Sequence, residues 1–196
     1  MRVLLGFMSA VVLGAAGAIS GTSPALAVPI TYTGQLTATG SLGGAAFTNA
    51  NVVLTLHTDT ANVTGGPTVF TVTGPATLSI AGGAPVAFTD TIGAVSVPAV
   101  PTVGFSDFTL ARAILGVNSP AFSTYMLKTA IGPVTSNSGF TQRVSFPTAG
   151  GAFVIIQDFA PFVFTATTAV PEPSMAALFG AGLLMLGIAA RRRRPA

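Results

Sequence analysis

The 196-residue chain contains no cysteine, no tryptophan and one histidine, and its only glutamate is Glu172. The missing cysteine removes a thiol nucleophile, a thiolate metal site and any disulfide, so a fold built from this chain rests on its hydrophobic core alone. With one histidine, His57, a Ser-His-Asp triad has a single choice of base. Charge is scarce as well, at 7% of residues. Between residues 28 and 170 only Arg112, Lys128 and Arg143 stand against Asp59, Asp90, Asp107 and Asp158, three cations and four anions for a net charge of −1. The whole-chain pI near 10.2 therefore comes from the two ends. Three cations cannot present the field that a phosphate backbone requires, which excludes nucleic acid as a partner. Little charge does not mean disorder, because twelve of the 14 phenylalanines fall in the same stretch.

The ends read as addresses rather than as fold. Arg2 opens a short positive region, residues 3–19 are apolar and rich in Ala and Gly, and Pro24 interrupts them. Ala25 and Ala27 then fill the small-residue positions of an A-x-A cleavage site, which predicts a signal peptide over residues 1–27 and a mature chain starting at Val28. At the other end, Pro171, Glu172, Pro173 and Ser174 precede an uncharged apolar run over 175–190, closed by Arg191, Arg192, Arg193 and Arg194. Sixteen residues of helix span about 24 Å, slightly less than a hydrocarbon core of about 30 Å, and arginine stems make up the difference. The four arginines act as a stop-transfer cluster that stays on the cytoplasmic side and places everything before Pro173 outside.

Those three parts, in that order at the C-terminus, resemble the PEP-CTERM sorting signal of exopolysaccharide-producing Gram-negative bacteria. The resemblance implies an exosortase as membrane-embedded processing partner, cleavage near Pro-Glu-Pro, transient anchoring in the inner membrane, and release to the cell surface or beyond. It covers about 27 residues. The expected layout is a signal peptide (1–27), an exported domain (28–169) and a sorting signal (170–196) with a single transmembrane helix.

The body has the cadence of an all-β protein. Polar and apolar residues alternate over 30–37, 51–59 and 76–80, β-branched residues fill 68–73, and Gly/Pro turns recur about every ten residues. Further strands are expected at 86–90, 92–97, 121–129, 140–146, 152–157 and 162–167, with an edge segment between Pro98 and Pro101 and a loop over 131–139. One short helix, capped by Ser106 or Asp107 and ending at Gly116, is the exception. Threonine opposite Val, Leu or Phe predicts a two-layer antiparallel β-sandwich or jelly-roll-like body, with Tyr32, Val52, Leu54, Leu56, Leu78, Ile80, Val144 and Phe146 inside.

Chemistry-bearing residues are few. His57 and Asp59 share one face of a strand, but no G-x-S-x-G elbow accompanies them. Asp90, Asp107 and Asp158 stand apart in sequence, and no calcium-loop pattern occurs. The reading is a non-enzymatic protein with no catalytic residue, no cofactor and no metal, whose partners are the exosortase, the membrane and, as a candidate, exopolysaccharide. The alternative is a carbohydrate-binding or glycan-hydrolysing domain on the same export route. Its candidate sugar contacts are Tyr32, Tyr125, Asn62, Asn118 and Asn137. Asn62-Val63-Thr64 also has the form of a glycosylation sequon.

Overall fold

The structure, a computed structural model, describes residues 27–169. They form two antiparallel sheets of seven and six strands. The chain begins with a long hairpin of β1 (Pro29–Leu42) and β2 (Ala45–Asp59), closed by Gly43 and Gly44, both at positive φ. Glycine takes this backbone without a Cβ penalty, which is why the Gly-Gly pair turns here. The chain passes to the second sheet for β3 (Thr64–Gly66) and β4 (Val69–Thr73), and returns to the first for β5 (Ala76–Ile80) and β6 (Val86–Ala87). A meander in the second sheet follows: β7 (Ile92–Val97), β8 (Thr102–Asp107) and β9 (Arg112–Asn118). Last come β10 (Ile131–Ser136), β11 (Gly139–Thr141), β12 (Ser145–Thr148) and the 18-residue β13 (Gly151–Thr168).

The first sheet runs β10-β13-β1-β2-β5-β6, with β12 beside the first half of β13; the second runs β11-β9-β8-β7-β4-β3. Neighbouring β7, β8 and β9 are consecutive in sequence, so the second sheet is a meander rather than the paired Greek keys of a jelly roll. The sheets stack face to face. A Cβ on Gly34 of β1 would lie 2.7 Å from side-chain atoms of both Leu115 and Phe105 in the opposite sheet, so glycine there lets the layers close.

The strand alternation read from sequence holds where it was strongest. Ile30, Tyr32, Leu36, Val52, Leu54, Leu56 and Leu78 are buried, as is Phe146, while Ile80 and Val144 pack partly buried against them. The outer face of the first sheet carries the threonines. Thr165, Thr33, Thr55 and Thr77 lie in one row across β13, β1, β2 and β5. Neighbouring hydroxyls and methyls then meet at strand spacing, where Thr–Thr pairs suit a pleated surface without charge.

Four expectations are corrected. The expected helix after Asp107 is a hairpin turn between β8 and β9. Asp107 Oδ1 accepts from the N–H groups of Thr109 (2.8 Å) and Leu110 (2.9 Å), and Ala111 sits at φ 54°. Aspartate folds the chain back on itself as readily as it starts a helix, and here the β8 and β9 ladders decide. Residues 121–129 are not a strand. Ser119 caps a 3-10 turn at Pro120–Phe122, after which Tyr125 and Leu127 point into the core. The expected loop over 131–139 contains β10, an edge strand, where Pro133 is tolerated. The Pro98–Pro101 segment is the tip of the β7–β8 hairpin, with Val100 N–H donating to the Val97 carbonyl at 3.1 Å. In addition, 140–146 divides between β11 in one sheet and β12 in the other, and 152–157 joins 162–167 in one bulged strand whose register shifts opposite Leu36.

Among the described residues no helix is long and apolar enough to cross a membrane. The span expected over 175–190 lies outside them. Leu56 is fully buried in the central hairpin. Leu56→Ala should therefore lower the unfolding free energy by about 2–5 kcal/mol in urea denaturation, through lost transfer energy and an unfilled cavity.

Candidate functional site

The outer face of the second sheet lacks the threonine coat of the first. Gly93, Gly104 and Gly116, on successive strands β7, β8 and β9, leave its floor bare. Two rings border it. A Cβ on Gly93 would lie 2.5 Å from Phe108 Cε2, and one on Gly116 would lie 2.3 Å, 2.4 Å and 2.9 Å from three atoms of the Phe140 ring. Each ring thus rests on a glycine, and each remains exposed on its other side, at 41% for Phe108 and 42% for Phe140. Between them run two adjoining hollows of about 340 and 100 Å³ that share Val95, Ser106 and Ala113. The result is a shallow, mostly apolar trough with a ring at each end, hydroxyls from Thr71, Thr102 and Ser106 along it, and Arg112 and Asp107 at its Phe108 end. Such a surface suits a ligand with an apolar face and polar edges, the profile of a pyranose ring.

A second groove of about 360 Å³ lies at the β7–β8 tip, lined by Val100, Pro101, Thr102, Asn118, Ser119, Pro120 and Ser138. Its polar groups already serve one another: Thr102 Oγ1 donates to Asn118 Oδ1 at 2.6 Å, and Asn118 Nδ2 donates to Ser138 Oγ at 3.3 Å.

The residues singled out from sequence scatter. Tyr32 and Tyr125 are core, not sugar platforms. The Tyr32 hydroxyl donates to the Leu127 carbonyl and the Tyr125 hydroxyl to the Thr129 carbonyl. Burial pushes both phenols well above their ordinary pKa. Asn62 and Asn137 are exposed on separate turns, and of the asparagines only Asn118 lines a groove. His57 and Asp59 have separate partners: His57 Nδ1 lies 3.0 Å from Thr31 Oγ1, and Asp59 Oδ1 accepts from Ala61 N–H at 2.9 Å. Ala27 is exposed, one residue before Val28, whose backbone binds Thr60 through N–H to Oγ1 (3.2 Å) and through the Thr60 N–H to the Val28 carbonyl (3.0 Å). Ala25, the motif 171–174 and Arg191 to Arg194 lie outside the described residues. The sheet runs up to the motif, since Ala169 N–H donates to the Pro29 carbonyl at 2.9 Å and only Val170 separates Ala169 from Pro171.

Two aspartates that stand apart in sequence come together. Ile92 pairs with Asp107 and the Phe108 N–H donates to the Thr91 carbonyl at 2.9 Å, which brings the Asp90 segment beside Asp107. Desolvation, with the Asp107 carboxylate nearby, pushes Asp90 above the usual aspartate range. Sequence reasoning missed this pair and the trough alike. The trough did leave a signal, three glycines spaced 11 and 12 residues apart on successive strands, but its meaning depends on the β8–β9 hairpin that was read as a helix.

An all-β sandwich continuous with a C-terminal signal is the architecture of an exported domain carrying its own address. The family model for the PEP-CTERM protein-sorting motif matches residues 169–194. The chain therefore ends in a PEP-CTERM sorting motif, which implies export and an exosortase as processing partner. Neither curated proteins nor solved structures give a match.

The glycine floor makes a prediction about stability. A Cβ on Gly104 would lie 1.9 Å from the backbone oxygen of Leu115, whereas one on Gly116 meets only the movable Phe140 ring. Gly104→Ala should cost about 3 kcal/mol and Gly116→Ala about 1 kcal/mol or less in chemical denaturation, because a side chain can swing aside and a paired strand cannot.

Proposed function

We propose that this chain is an exported, non-enzymatic protein of the cell surface or biofilm matrix, matured by an exosortase at its C-terminal signal. The observation that carries this reading is the sorting motif at 169–194. Export begins with removal of residues 1–27 after Ala27. The apolar run over 175–190 then halts in the inner membrane with Arg191 to Arg194 on the cytoplasmic side. Pro171 and Pro173 keep the cleavage segment out of helix, and Glu172 marks it with charge. The bonding of His57 and Asp59 to other groups supports a non-catalytic body.

A second reading is favoured by the trough between Phe108 and Phe140: the body binds carbohydrate of the matrix through ring stacking and threonine or serine hydroxyls. Apart from Arg112 and the buried Asp107 at its Phe108 end, the lining is uncharged, which suits a largely neutral glycan.

Two sets of variants test the sorting reading. Replacing Pro171, Glu172 and Pro173 together should leave an uncut, membrane-held precursor. Replacing all four arginines with serine should give released, uncut chain. Cell fractionation with intact-mass analysis separates the outcomes, and normal maturation of both variants would remove the basis for a sorting signal.

The trough has its own test. On a glycan array, Phe108→Ala and Phe140→Ala should each lower binding of neutral polysaccharide at least about tenfold, as expected when a stacking platform worth about 1.4 kcal/mol is lost. Equal binding by parent and variants would exclude the trough as the sugar site.

A further inference from the structure

Asp107 is fully buried, and its two oxygens have different fates. Oδ1 accepts from two backbone N–H groups of the turn that follows. Oδ2 is equally buried and has no hydrogen-bond partner. A buried carboxyl oxygen without a partner is costly, so a donor or a cation belongs there. The segment beside it instead carries another carboxylate, Asp90, two residues before Ile92, the register partner of Asp107. The one guanidinium nearby belongs to Arg112, which stands opposite Asp107 in the β8–β9 register, yet Arg112 is exposed and makes no hydrogen bond to Oδ2.

We propose that Asp90 and Asp107 form a binding site for a divalent cation, of which calcium is the best fit. Two carboxylates that repel each other when bare become the anionic half of a coordination shell once a cation lies between them. The bonds from Thr109 and Leu110 to Oδ1 fix the Asp107 carboxylate and leave Oδ2 aimed at the site. Asp90, at the surface, closes over it from the other side. The donors are oxygens only. The chain has no cysteine, and His57 is engaged with Thr31, so thiolate- and imidazole-preferring metals find no ligands. No third His, Cys, Asp or Glu joins the pair among the described residues. Water and loop carbonyls would complete the shell, which suits calcium with its six to eight flexible ligands better than magnesium with its strict octahedron. Two carboxylates give the weak affinity of extracellular modules, about 10⁻⁴–10⁻³ M. Because Phe108 follows Asp107 directly, a bound ion would also pin the ring that borders the trough.

The test uses the full-length chain in detergent, stripped with chelator, with thermal unfolding followed by far-UV circular dichroism at pH 7. Calcium chloride at 5 mM should raise the melting temperature by about 3–6 °C, and magnesium chloride should raise it less. The calcium shift should vanish in Asp90→Asn and in Asp107→Asn. Asp90 is partly exposed, so its variant stays informative even if Asp107→Asn weakens the fold. A parental melting temperature unmoved by calcium overturns the proposal, as does an Asp90→Asn variant that keeps the full shift. If calcium has no effect but acidification from pH 7 to 5 raises the melting temperature, the pair shares a proton instead and the cation site is refuted.

Discussion

The packing of Phe164 holds the two layers together. This fully buried ring on β13 meets Tyr32 at 6.2 Å, Phe105 at 6.2 Å, Phe122 at 5.7 Å and Tyr125 at 6.2 Å. Tyr32 lies on the neighbouring strand of the same sheet, Phe105 on the opposite sheet, and Phe122 and Tyr125 on the irregular segment after β9. One side chain therefore ties both sheets to the segment that closes the space between them. Aromatic contacts at these separations add to the area they bury, and a chain without disulfides depends on such density. The polar atoms inside this cluster are satisfied by that same segment. Ser96 Oγ donates to the Tyr125 carbonyl at 2.6 Å, and the Tyr32 hydroxyl donates to the Leu127 carbonyl. Residues 119–130 are thus a mostly exposed loop that drives a wedge of three side chains, Phe122, Tyr125 and Leu127, into the core.

That arrangement explains what was legible in the sequence and what was not. Strands with one dry face and one wet face announce themselves by alternation, and β1, β2 and β5 were read correctly for that reason. The wedge has no period to read, because Phe122, Tyr125 and Leu127 enter the core from irregular backbone. The β8–β9 hairpin misled in a different way. Phe108, Ala111, Ile114 and Leu115 recur at helical spacing, but Phe108 belongs to a turn and lies on the outer trough, while Ile114 and Leu115 straddle a β-bulge. A bulge puts adjacent residues on the same side, which mimics helical period in a short window. The carboxylate pair was illegible for a simpler reason: 17 positions separate Asp90 from Asp107, and only the return of β8 alongside β7 joins them.

The edge strands of the described sandwich are short or carry proline, which limits edge-to-edge pairing with another chain. The second sheet ends on two strands of three residues each, β3 and β11, and the first ends on the two-residue β6 and on β10, which carries Pro133. Short or proline-bearing edges offer few unpaired N–H groups to another chain. With seven charged residues in the body, electrostatic repulsion cannot serve this purpose, so strand length has to.

The location of the two chain ends bears on how sorting and binding coexist in one small domain. Val28 and Ala169 leave from β1 and β13, adjacent strands of the first sheet, and both are tied down by backbone bonds at the same end of the sandwich. In sequence, only Val170 lies between Ala169 and Pro171. The trough is built entirely on the other layer, from β4, β7, β8 and β9, with Phe108 and Phe140 as its ends. The trough and the strands that lead to the two chain ends thus belong to different sheets of one fold. Two of the glycines beneath the trough are fixed by packing, since a Cβ on Gly93 would lie 2.4 Å from the Val72 backbone oxygen and one on Gly104 1.9 Å from that of Leu115. Glycine there costs backbone entropy without adding to the core. At Gly116 the constraint is the Phe140 ring itself, so the same glycines that let the strands pack also leave Phe108 and Phe140 seated on the sheet with one side exposed.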